Sequence, residues 1–212
     1  MKNIFRLSLF VLLVAVPSLC AIGCGGDDDD SSADTDTDAD SDGDMCSDYP
    51  AADNSFAVGS VARNFSFFDV DDVAHPLCSY ADGVRKLALL VISGGYLCSY
   101  CADAGPALQA VAENHPDDVA VLDVIENGMD SSQTAKQILE TSLGQEPWAS
   151  ATHPVLYVDP GTQMSSDWGA SFGGYPTVPL IDLDTMQVLV DDCWAYPTAG
   201  AQDYEGCVSS HL

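Results

Sequence analysis

"KLALLVISGGYLCSYCADAGPAL", residues 86–108, decides the fold of this chain. After Lys86 the run to Ile92 is continuously apolar, and charge on one side and Ser93-Gly94-Gly95 on the other bound it. That pattern predicts a strand buried on both faces. From Cys98 the period changes. Ala104, Leu108, Val111 and Ala112 recur at helical spacing, and His115-Pro116 ends the pattern. A buried strand therefore passes through a glycine turn into a helix that starts at Cys98. Unsatisfied N–H groups and the macrodipole at a helix start favour a thiolate. The geometry predicts an exposed Cys98 and, one turn on, a less exposed Cys101 placed to attack a mixed disulfide formed at Cys98.

Outward from this stretch, strands and helices alternate. "NFSFFDV" (64–70) alternates as a strand does, and "DVDDVAHPL" after it reads as a hairpin-like connection. "VAVLDVI" (119–125) is a second buried strand. "SSQTAKQILETSL" (131–143) is a helix with Ala135, Ile138 and Leu139 on one face. "PVLYVD" (154–159) is another strand, and "TVPLIDLD" with "MQVLV" (177–190) gives two more, joined around Asp184-Thr185. Pro197, Gly200 and Gly206 leave little room for a good helix in 191–212. The pattern predicts an α/β fold: a mixed central sheet flanked by helices, with an N-terminal strand extension.

The N-terminus sets the compartment. Lys2 and Arg6 precede an apolar run from Leu7 to Val16, too short to span a bilayer. "AIGC", Ala21–Cys24, resembles the lipobox of bacterial lipoproteins, which implies cleavage before Cys24 and a diacylglycerol on its sulfur. Residues 1–23 thus read as a lipoprotein signal peptide. Residues 24–45 read as a disordered tether, since ten of the eighteen residues from Asp27 to Asp44 are Asp. Asp38, Asp40, Asp42 and Gly43 begin like a calcium loop, but position twelve is Tyr49 where a bidentate Glu is needed. Residues 46–212 form the folded domain, and the expected location is the cell envelope, lipid-anchored and exported.

The chain carries a formal charge of −27. Such a surface repels phosphate backbones and excludes nucleic acid as a partner. No second apolar stretch is long enough for a membrane span, so the expected membrane contact is the lipid alone.

Setting aside Cys20 and Cys24 leaves six cysteines in a compartment that favours pairing, and six allow fifteen connectivities. If Cys98 pairs with Cys101, the others fall into Cys46–Cys78 and Cys193–Cys207.

The C-x-x-C with Pro106 five residues after Cys101, and "GGYPT" (173–177) just before a strand, resemble the thioredoxin fold. The likeness is to its exported, membrane-tethered TlpA-like and redoxin branch, over about residues 56–190. The resemblance implies a thiol–disulfide oxidoreductase with Cys98 as nucleophile and Cys101 as resolving thiol. It implies a cis Pro176, with Tyr175 and Thr177 beside the sulfurs where a substrate backbone docks. It also implies no cofactor beyond the Cys98–Cys101 disulfide. The partners would be cysteine-containing exported proteins and a thiol donor or acceptor. "HPVLYVDP" looks like that branch's extra strand. Leu97 stands where the family has an aromatic residue, and Ile92 where some relatives have a buried acid. Ser99-Tyr100 between the cysteines leaves the direction of electron flow open. The peroxidatic P-x-x-x-T-x-x-C of peroxiredoxins is absent.

Two other readings stay open: a surface lipoprotein using the fold as a binding scaffold with its C-x-x-C locked, or a copper metallochaperone. Zinc would need a second ligand pair, and no metal residue is assigned. His153 is the one histidine that suits a copper role, and His75 and His115 read as loop or helix-end residues. Trp148, Trp168 and Trp194 read as packing residues, and Tyr96 and Tyr100 as the rim of the site.

Overall fold

Asp69 starts the sheet by shaping a turn. Its Oδ1 accepts the N–H groups of Asp71 (2.9 Å) and Val73 (3.0 Å), and Oδ2 lies 3.0 Å from His75 Nε2. The turn closes a hairpin of β1 (Ser66–Phe68) and β2 (Ala74–Pro76), paired antiparallel. The chain then forms β3 (Leu87–Ser93), α1 (Ser99–Asn114), β4 (Val119–Ile125), α2 (Ala135–Ser142), β5 (Val155–Val158), β6 (Leu180–Asp182) and β7 (Val188–Val190). The sheet order is β2-β1-β5-β4-β3-β6-β7. Pairs β3/β4 and β4/β5 are parallel, and the other pairs are antiparallel. This is the mixed sheet with an N-terminal strand extension that the pattern predicts, and β5 splices that extension onto the central strands.

This computed structural model describes residues 46, 50–53, 57–126, 132–158, 164, 174–195 and 202–212, all within one compact unit, 41–212. The expected signal segment, the expected tether with Cys24, and Trp168 lie outside the described residues.

The two apolar runs are continuous because both faces of the sheet are covered. Ala88, Leu90 and Ile92 join Ala120, Leu122 and Val124 in one cluster with Phe67 and Leu77. Leu87, Leu89 and Val91 join Val119 and Val121 in another, under Leu108 and Val111 of α1. α2 starts with a capping box between Thr134 and Gln137 and packs Ile138 and Leu139 on Ile125 and Tyr157.

The C-terminal stretch differs from the reading above. A short helix, α3 (Tyr204–Ser209), begins where Asp203 Oδ1 accepts the Gly206 N–H (2.8 Å). A Cys193–Cys207 disulfide holds it against the domain, and Glu205 Oε1 lies 2.7 Å from Nε2 of His115 at the end of α1. Tertiary tethers, not periodicity, make this helix possible, which is why six residues with little intrinsic preference adopt it.

Gly105 of α1 is required by close approach. A Cβ there would fall inside the ring of Pro147, which follows a cis bond from Glu146. Replacing Gly105 by Ala is expected to cost about 1–3 kcal/mol through overpacking, despite the gain in helix propensity. Urea denaturation of the two proteins checks it, and an unchanged or raised midpoint would mean that the loop at 147 moves away freely.

Candidate functional site

The turn after β3 works only with glycine at 95. Gly95 has φ +56°, and a Cβ would meet Ser142 Oγ at 2.6 Å and Ile138 Cγ2 at 2.7 Å. Ser142 Oγ also accepts the Tyr96 N–H at 3.0 Å, so α2 fixes the turn that delivers Cys98. Cys98 is the N-cap of α1 and is bonded to Cys101 in a disulfide. Its Sγ accepts the Cys101 N–H at 3.1 Å. On reduction that N–H and the helix end stabilise negative charge on the Cys98 sulfur.

The helix-start geometry predicts an exposed first thiol, and here the structure differs. Cys98 and Cys101 are each only 3% exposed. They pack with Trp148 (4% exposed), and Tyr96 and Tyr175 lie against the cluster.

The residues 175–177 come to the sulfurs by a strand-like docking. Thr177 forms an isolated antiparallel bridge with Ile92, its N–H donating to Ile92 O (3.1 Å) and accepting in return through its carbonyl (2.8 Å). That bridge seats Pro176, cis to Tyr175, at the end of β3 where the chain turns to Cys98. The Tyr175 carbonyl oxygen lies 3.6 Å from Cys98 Sγ. Burial, and then the nearby Glu126 carboxylate, push the Tyr175 phenol well above its usual pKa. A groove of about 480 Å³ opens beside these residues, lined by Tyr100, Gly174, Tyr175, Pro176, Thr177, Asp192 and Trp194. Trp194 is thus half-buried at a groove wall, not purely a packing residue.

An acid that the motif reading missed lies behind the disulfide. Position 92 carries no carboxylate, but Asp123 of β4 is 4% exposed and sits on the same side of the sheet as α1. Its Oδ1 accepts from Ser93 Oγ (2.7 Å) and its Oδ2 from Trp148 Nε1 (2.8 Å). Ser93 Oγ in turn accepts the Gly95 N–H at 3.3 Å. One carboxyl therefore ties the turn before Cys98 to the indole that is clustered with the two cysteines. Burial pushes it up to about 6, with the two hydrogen bonds opposing the shift. The available signal was a lone Asp inside an otherwise apolar run, which is costly unless hydrogen-bonded.

The remaining expected residues lie apart from this centre. Cys46 is bonded to Cys78. His75 and His115 are engaged with Asp69 and Glu205. His153 is nearer, because it lines a cavity of about 370 Å³ that Asp123 and Trp148 behind the disulfide also line. Burial lowers its imidazole to about 4, so it is neutral at pH 7. Among the described residues no three His, Cys, Asp or Glu side chains group as metal ligands. No described helix is long and apolar enough to cross a membrane.

No protein-family model and no curated protein matches the chain. Solved structures do. A thiol:disulfide interchange protein from a Bacteroides species is 15% identical, with a TM-score of 0.52, over 72% of this chain and 89% of that one. The pneumococcal exposed lipoprotein thioredoxin of Streptococcus pneumoniae is 22% identical, TM-score 0.53, over 71% and 100%. The thioredoxin domain of a thiol-disulfide oxidoreductase from Bacteroides vulgatus is 16% identical, TM-score 0.51, over 73% and 97%. The fold of this chain is thioredoxin-like.

Proposed function

We propose that the chain is a thiol–disulfide oxidoreductase, tethered to a bacterial envelope membrane through lipid on Cys24 and acting on cysteines of exported proteins. The observation that carries this reading is the Cys98–Cys101 disulfide at the start of α1, its first sulfur capped by the Cys101 N–H and facing the carbonyl before cis Pro176.

In the reducing direction the Cys98 thiolate attacks a substrate disulfide. A mixed disulfide forms and one substrate thiolate leaves. The Cys101 thiolate then attacks Cys98 Sγ, the second substrate thiolate leaves, and the protein disulfide closes. Two electrons pass to the substrate, and the reverse sequence oxidises a substrate dithiol. Tyr175, Pro176 and Thr177 are the groups that would position the substrate backbone.

The burial of both cysteines favours one rival, a binding scaffold with a locked disulfide. A single titration separates the two. The purified protein is equilibrated in graded thiol–disulfide buffers, and free thiols are tagged and mapped by mass. The exchange reading expects Cys98 and Cys101 to titrate reversibly as a pair, apart from Cys46, Cys78, Cys193 and Cys207. Release of that pair only on unfolding supports the scaffold and overturns the enzyme. The midpoint gives the direction of electron flow.

A further inference from the structure

Resting on the exchange reading above, we infer that the groove beside the disulfide selects substrates with a basic side chain next to the reactive cysteine. Among the described residues lining the groove, Asp192 is the one acidic residue and none is Lys or Arg. Its carboxylate is fixed in place, because Oδ1 accepts the N–H groups of Val178 (3.0 Å) and Trp194 (3.1 Å). Its second oxygen has no hydrogen-bond partner among the described residues. Asp191 next to it is exposed and adds charge of the same sign.

The walls suit the same ligand. Tyr100 lies between the two cysteines, is 63% exposed, and meets Trp194 edge to face with ring centroids 6.2 Å apart. A lysine or arginine side chain can lay its stem along these rings and its charge against a ring face or the Asp192 carboxylate. The four basic residues among those described are placed elsewhere. Arg63 lies over Phe65, Arg85 and Lys86 precede β3 at its far end, and Lys136 pairs with Asp72. Among the described residues nothing positive in the groove competes with an incoming cation, and a carboxylate beside the substrate cysteine would meet Asp192 unfavourably.

The test uses the full chain, treated with dithiothreitol only far enough to reduce Cys98–Cys101 while mass mapping shows Cys193–Cys207 still closed, and then desalted. Two peptides differ only in Arg or Glu on both sides of one cysteine, and each is disulfide-linked to thionitrobenzoate. Attack by Cys98 on the peptide sulfur releases the coloured thiolate, and Cys101 then frees the peptide. The second-order rate constant for the Arg peptide is expected to exceed that for the Glu peptide by about tenfold at low salt. In Asp192→Asn, which keeps an oxygen for the two backbone donors, and in Tyr100→Ala, the ratio should fall to about twofold. The ratio cancels any change in the intrinsic reactivity of the cysteines.

A ratio near one in the unchanged protein overturns the inference. So does a ratio that survives in both variants, because the net charge of −27 would then discriminate without the groove. If neither peptide nor uncharged hydroxyethyl disulfide reacts faster than without protein, the exchange reading itself fails. Exchange without discrimination removes only the substrate preference.

Discussion

In Cys98→Ser, disulfide exchange is expected to fall to the rate measured without protein. A serine hydroxyl does not ionise near neutral pH, and the remaining Cys101 thiol lies inside α1 without the helix-start N–H that Cys98 receives. Cys101→Ser should behave differently. The Cys98 sulfur still sits at the helix start with a backbone N–H at 3.1 Å, so it still attacks. The mixed disulfide then has no resolving thiol and accumulates, which traps natural substrates. Non-reducing gels followed by mass mapping read both outcomes. Normal turnover in Cys98→Ser would sink the assignment of the nucleophile.

The second large effect concerns Asp123. The folded protein holds this carboxyl at about 6 against 3.8 for the ordinary group, mainly through burial. Below pH 3.8 it is neutral folded and unfolded, and its contribution is fully present. As pH rises from there through 6, the unfolded chain ionises first and the folded state loses stability. The loss is about 3 kcal/mol, complete by about pH 7. Asp123→Asn stays neutral throughout. It gives up one acceptor, toward either Ser93 or Trp148, and that cost does not change with pH. Because the unfolded carboxyl is already more than half ionised at pH 4, urea denaturation at pH 4 and pH 7.5 should show the variant gaining about 2 kcal/mol on the unchanged protein between the two conditions. Parallel pH curves for the two proteins would mean that burial does not hold this carboxyl protonated. Because Trp148 bonds the carboxyl and is clustered with the two cysteines, the same variant is the one in which to re-measure the redox midpoint against pH.

The strand–turn–helix core was legible because each signal is local. Six consecutive apolar residues, Leu87 to Ile92, bounded by Lys86 and a glycine turn, read as a strand with both faces covered, and helical spacing resumes at the cysteine itself. The region 177–190 was legible for the same reason. Two kinds of feature were not. Asp123 looks like one letter in a buried strand, and only the β3/β4 register, which pairs it with Val91, brings it within reach of Ser93 two residues on and under α1. The groove wall was also hidden, because Trp194 reaches Tyr100 through a tail whose sequence has little periodicity. Burial of Cys98 came from side chains brought in at 148 and 175, far along the chain, which no pattern around 98 encodes.

The staple at the C-terminus bears on how the protein is made. Cys193 immediately precedes Trp194, and its bond to Cys207 anchors α3 behind that tryptophan. Closing that bond takes a two-electron oxidant, so the wall that holds Trp194 is complete only once Cys193 and Cys207 have been oxidised. Until then the molecule would hold a reactive dithiol with an unfinished reading surface. On the proposed reading, substrate selectivity would therefore be acquired only after the Cys193–Cys207 bond has closed.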